Sequence, residues 1–213
     1  MKIIKNFCLI LLSILAILCF FIENHTSKSE IKQSFEIDKP YLSVLKDFST
    51  KNSLEKIIEQ NNAVLLDKKW QYLNLEVIRI RKPRQWNIDG KLNFTVETQD
   101  ESLGKQKLDF YQDVSLKNDT MNIKTGLISS SKNIVLCERT IKFVKKDQED
   151  KTLVEIEAKL SVKKIIPKFL IQKMDKKLNE SNEKEVENLK NNILAATKGS
   201  ESLFSIPINV NNR

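Results

Sequence analysis

From Lys69 to Val162 apolar and polar residues mostly alternate, and on either side of that stretch the spacing lengthens to three or four. The cleanest run starts at Trp86. Trp86, Ile88, Leu92, Phe94 and Val96 share one side, and Asn87, Asp89, Lys91, Asn93, Thr95 and Glu97 share the other. A period of two with one dry and one wet side predicts antiparallel strands covered on a single face. The segments WQYLNLEVIRIRK, WNIDGKLNFTVE, KLDFYQDVSL, TMNIKTGLI, NIVLCERTIKFV and TLVEIEAKLSV form such a series, with polar turns such as DESLGKQ, SSSK and KKDQEDK between them. Gly90 interrupts the apolar side and marks a bulge or bend. Upstream, IKQSFEID reads as one more strand through Ile31, Phe35 and Ile37, after a polar tether over Asn24–Glu30.

Three segments have helical spacing. Asp38, two residues before Pro40, is a sound helix start, because its carboxylate can accept free backbone N–H groups and proline suits the first turn. Tyr41, Leu42, Leu45 and Phe48 then share a face. SLEKIIEQNN restarts a second short helix with Leu54, Ile57 and Ile58 inward. The last helix is expected to begin at Pro167, with Phe169, Leu170, Met174, Leu178, Val186, Leu189 and Ile193 on one stripe and Gly199 as its stop. One continuous helix is preferred to a break at Asn182.

A sheet with one dry face must cover it, and a long amphipathic helix is the available cover. The fold class that follows is α+β: a curved antiparallel sheet of about six to seven strands, two short helices after the first strand, and a long C-terminal helix on the concave face. On IKQSFEIDKPYLSVLKDFS at the front and VEIEAKLSVKKIIPKFLIQKM at the back, this order resembles the START-like superfamily, the helix-grip fold of polyketide cyclases, plant pollen-allergen relatives and START lipid-transfer domains. The resemblance spans roughly Ile31–Thr197. The glycine-rich loop of the plant allergen branch has no counterpart, since KPRQWNIDG holds a single glycine. The resemblance implies a cavity for a lipid, sterol or polyketide.

The chain has 213 residues, room for one ordinary domain with a full core. It divides into an N-terminal segment (1–26), the START-like domain (27–198) and a C-terminal tail (199–213). Lys2 and Lys5 precede an uncharged run from Phe7 to Ile22, closed by Glu23. That is the pattern of a signal peptide or a signal anchor. At about 1.5 Å per residue the run is shorter than a bilayer core of about 30 Å, which suits cleavage. The absence of a small-x-small site suits retention, and the anchor reading is preferred. Lysine on the N-terminal side then puts the N-terminus in the cytoplasm and the domain across a single-pass membrane, with a secreted or periplasmic protein as the alternative.

The net charge of +8 arises from lysines interleaved with acids, so a nucleic-acid partner is not expected. Lysines do gather in KKIIPKFLIQKMDKK, where Lys163, Lys164, Lys168 and Lys173 are candidates for contact with a membrane surface. Cations at a helix N-terminus oppose its dipole, so they do not help the helix form. Cys8 and Cys19 lie in the apolar run, which leaves Cys137, alternating with Val135 and Ile141, as a strand cysteine with no partner for a disulfide.

No nucleophile-elbow, P-loop or dinucleotide motif is present. The sole histidine, His25, is placed beside the apolar run and outside the domain, which removes imidazole chemistry and histidine metal sites from the folded part. Glu138, Glu155 and Glu157 read as the wet face of the sheet, with Glu138 and Arg139 the one charged pair to examine. Catalysis, metal and cofactor are therefore not expected. Trp86, Ile88, Phe94, Phe110, Ile156, Leu160, Leu170, Met174 and Leu178 are candidates to line a site for a hydrophobic small molecule, and equally candidates to fill a core. The functional expectation is non-catalytic binding or transfer of a hydrophobic ligand by a membrane-tethered or secreted protein. The alternatives are a membrane-anchored scaffold with a filled core and a bitopic β-jellyroll lipid-transport protein. A cyclase or dehydratase ranks last.

Overall fold

The alternating segments pair as their dry sides require. The structure, a computed structural model, describes residues 21–48, 58, 63–79, 85–100, 104–117, 119–131, 133–146 and 150–197. Its strands are β1 (Ile22–Ile37), β2 (Ala63–Arg79), β3 (Gln85–Asp100), β4 (Gly104–Lys117), β5 (Thr120–Leu127), β6 (Ile134–Lys145) and β7 (Thr152–Pro167). They form one antiparallel sheet in the order β1-β7-β6-β5-β4-β3-β2. A short helix, α1 (Tyr41–Phe48), follows β1; a 3-10 turn (Lys168–Leu170) and the long helix α2 (Ile171–Thr197) follow β7. This is the helix-grip arrangement. The single sheet also leaves the described chain without the second sheet of a jellyroll.

Period-two burial is plainest in β7, where Thr152, Val154, Ile156 and Ala158 are buried and the residues between them are half-exposed. Pairing carries the pattern across the sheet: Ile156 faces Ile141, Ile141 faces Ile123, and Ile123 faces Val114. Val186, Leu189, Ile193 and Ala196 of α2 and Tyr41 and Val44 of α1 pack on this row and the next, Val154, Phe143 and Met121. Ile193, Phe143 and Val154 are fully buried. Each such side chain stabilises the fold by about 1.5–3 kcal/mol. A second apolar cluster lies towards the other edge, with Ala63, Leu92, Phe94, Val96 and the helical Ile58. The other residues of the expected second helix, the apolar run up to Phe20, Gly199 and the tail lie outside the described residues. No helix among the described residues is long and apolar enough to cross a membrane.

Three boundaries differ from the sequence expectation. β1 begins at Ile22 rather than near Ile31, so the supposed tether is strand. Its inward residues there, Ser27 and Ser29, are buried but polar and give no hydrophobic alternation. β7 continues past Val162 to Pro167 because Ile22–Thr26 pair with Lys163–Pro167. Pro167, held at φ −60° and ψ 137°, ends the strand instead of starting the helix. β2 starts at Ala63, before Lys69. The irregularity expected at Gly90 falls opposite it, in β2 between Trp70 and Tyr72, where Leu73 and Trp70 occupy the space a side chain at Gly90 would need.

Candidate ligand site between the helix and the sheet

The two halves of α2 rest on the sheet in different ways. Its second half buries Val186, Leu189, Ile193, Ala196 and Thr197 in the core. Its first half buries only Asn182. Asn182 stands four residues after Leu178 and four before Val186, a position in the stripe where an apolar residue would be expected. Its amide donates to Ser29 Oγ (3.0 Å) and to the Ala158 carbonyl (3.4 Å). Ser29 in turn donates to Asn179 Oδ1 (2.9 Å), His25 Nε2 meets Asp175 Oδ1 (2.9 Å), and Gln33 donates to Glu187 (2.9 Å). A polar ladder between α2 and β1 thus holds the part of the helix that the core does not.

His25 was expected outside the domain; the structure puts it on β1, within this ladder. The Ser27 hydroxyl and His25, in that order, hold the Asp175 carboxyl below the usual range. Ser27 Oγ is buried and makes no hydrogen bond of good geometry. Among the described residues no three His, Cys, Asp or Glu side chains gather as metal ligands.

Along the first half of α2 the inward residues Met174 and Leu178 are only half-buried. Ile88, Phe94 and Ile156 are at most 6 % exposed, and Phe94 and Ile156 belong to the two apolar clusters. Phe94 stacks on Phe110 with ring centres 5.4 Å apart. Leu160, Phe110, Met174 and Leu178 are all half-buried. Leu170 sits in the 3-10 turn, 36 % exposed, at the rim. Trp86 pairs with Val77, and its side chain lies outside the described residues. The eight candidates with described side chains therefore divide into three that are buried and five that are half-buried or exposed. Lys163, Lys168 and Lys173 are exposed and Lys164 is half-buried, all around the β7–α2 junction.

Arg139 and Glu138 do not form a pair. Glu138 is on the wet face with Lys124 (3.5 Å), as Glu155 is with Lys142 (3.2 Å) and Glu157 with Lys159 (2.9 Å). Arg139 lies on the concave face between Ala158 and Thr125, with Gln112 opposite Thr125 on the next strand. Its side chain is 24 % exposed, its nearest carboxylate is Glu185 of α2 at 3.8 Å, and its Nε is buried with no hydrogen-bond partner. A buried donor left unmade costs about 1–3 kcal/mol. Cys137 is next on the same face, opposite Leu160. Burial pushes its thiol up, which makes it a poor nucleophile. Val135, expected to alternate with it, is exposed at an irregularity between Ile134 and Leu136.

A groove of about 540 Å³ follows the outer flank of α2, but apart from Ile31 its walls are polar or charged, including Lys32, Glu180, Glu183, Lys184 and Glu187. It does not suit an apolar ligand.

No family model and no curated protein sequence matches the chain. Solved structures do. A protein of unknown function from Staphylococcus aureus, SA2116, is 11 % identical with a TM-score of 0.45, over 84 % of this chain and 97 % of its own. Norcoclaurine synthase from Thalictrum flavum is 14 % identical with a TM-score of 0.41, over 83 % and 90 %. A START superfamily protein from Mycobacterium smegmatis is 12 % identical with a TM-score of 0.36, over 81 % and 99 %. Each likeness is one of overall fold at low sequence identity.

Proposed function

We propose that the chain binds a hydrophobic ligand such as a lipid between the first half of α2 and the concave face, without catalysing a reaction. One observation carries this reading. On the face that α2 covers, Leu160, Met174 and Leu178 are only half-buried, and the Arg139 guanidinium on that face lacks a partner for its Nε. Sites for apolar ligands combine such walls with a few polar anchors. Arg139 fits the acidic head of an acyl chain, because charge-assisted hydrogen bonds are the strong ones. A single-pass N-terminal segment with the N-terminus in the cytoplasm and the domain on the extracytoplasmic side is the setting this reading proposes.

The test is binding of a fluorescent fatty-acyl probe to the full chain and to Met174→Trp. The site predicts saturable binding by the parent, weakened at least tenfold by the indole, with little change in melting temperature. Absence of binding by the parent, with clear destabilisation of the variant, supports instead a scaffold with a filled core, the reading favoured by the tight packing of Ile88, Phe94 and Ile156.

A further inference from the structure

We infer that the end of the molecule where β1 starts, β7 stops and α2 begins docks on the surface of a bilayer containing anionic lipid, with Ile165 and Phe169 entering the interface. Phe169 is 76 % exposed and Ile165 74 %, the two most exposed large apolar residues among those described. Phe21, Ile22 and Leu170 are exposed beside them. Backbone pairing brings them together: the Lys168 N–H donates to the Phe21 carbonyl (2.7 Å), Ile22 lies opposite Pro167 and Asn24 opposite Ile165. Contiguous apolar residues of this kind mark an interaction site.

Charge identifies the occupant. Elsewhere on the sheet lysines meet carboxylates, as in Lys142–Glu155 and Lys159–Glu157. Here Lys163, Lys168 and Lys173 have no acidic partner among the described residues, and Lys164 adds a fourth cation. Against them stand Glu23 and Asp175, and Asp175 is engaged by His25. Aromatic and aliphatic tips ringed by lysine suit the boundary between acyl chains and acidic headgroups. A second copy fits less well, because a two-fold contact through this patch would oppose lysine to lysine. The patch also includes Phe21 and Ile22, the last residues of the uncharged run that begins at Phe7. Leu170 and Met174 follow within one turn and a half, so docking would bring the first half of α2 towards the lipid. The inference does not depend on what that face binds.

The full chain is mixed with phosphatidylcholine vesicles containing phosphatidylglycerol brominated along its acyl chains, and the tryptophan emission of Phe169→Trp is compared with that of the parent and of Ser181→Trp, whose position is exposed farther along α2. The indole at position 169 should be quenched severalfold more than the one at 181. Each of Lys163→Glu and Lys168→Glu should lower the docked fraction by at least about fivefold, the effect of losing one lysine near acidic lipid. Equal quenching at the two positions, or a chain that stays in solution, overturns the inference. So does a blue-shifted indole indifferent to bromine in a chain that sediments as a dimer, since the patch then belongs to a second copy.

Discussion

Replacing Arg139 by methionine should stabilise the protein while impairing its ligand site. The arginine Nε is buried without a partner, which costs about 1–3 kcal/mol. Against this stands the pair with Glu185, 3.8 Å long and with the carboxylate 45 % exposed, worth at most about 1 kcal/mol. Methionine keeps an unbranched apolar stem in the same space. The balance is a gain of about 1–2 kcal/mol, or roughly 2–8 °C in melting temperature for a chain of this length. Urea titration with an unchanged slope would attribute the gain to the folded state. Fatty-acid binding should weaken by about 10–100-fold, the range for losing a charged hydrogen bond, while a fatty alcohol of equal length should be spared. A lower melting temperature in Arg139→Met would show that the guanidinium is satisfied in the folded protein, and would refute the reasoning.

The two halves of α2 should respond differently to truncation: Ile193→Ala, at a fully buried position, should lose about 2–5 kcal/mol in urea unfolding, and Met174→Ala under about half of that. Tyr41→Phe removes a buried hydroxyl without a partner and should leave stability equal or raise it by about 1 kcal/mol. Burial first and the Asp119 charge second raise the phenol's pKa, so the folded chain keeps a proton that the unfolded chain releases. The parent should therefore lose stability from about pH 10 upward, and Tyr41→Phe should lose less. Asp175 runs the other way. Its pKa is lowered in the folded state, so its contribution is complete above the ordinary value of about 3.9 and is lost as pH falls through the folded one. Asp175→Asn should flatten that acid limb in melting temperature measured against pH.

The architecture was legible in the sequence wherever burial is apolar. β3 to β7 and the stripe of α2 announce themselves because their inward residues are Ile, Val, Phe and Leu. The start of β1 and the end of β7 do not. There the inward positions of β1 carry serines, of which Ser29 bonds to both Asn179 and Asn182 on the helix, and polar residues paired across 150 positions or more leave no local period. The same ladder hid His25, which seemed to belong to the N-terminal segment. Asn182, set between Leu178 and Val186, was the available sign that the helix changes character there. Arg139 stands beside Glu138 in the sequence, yet alternation alone puts adjacent strand residues on opposite faces. Which apolar residues are sealed and which stay open depends on how far along α2 the core reaches, and no residue type encodes that.

The central claim is that the concave face holds a ligand beneath the first half of α2. Native mass spectrometry of the full chain released from detergent tests it most directly, followed by solvent extraction and lipid analysis. The account predicts a one-to-one complex with an acyl molecule, retained by Ile193→Val and lost in Met174→Trp. A chain that carries no such molecule, and takes up none when incubated with fatty acids, would contradict it.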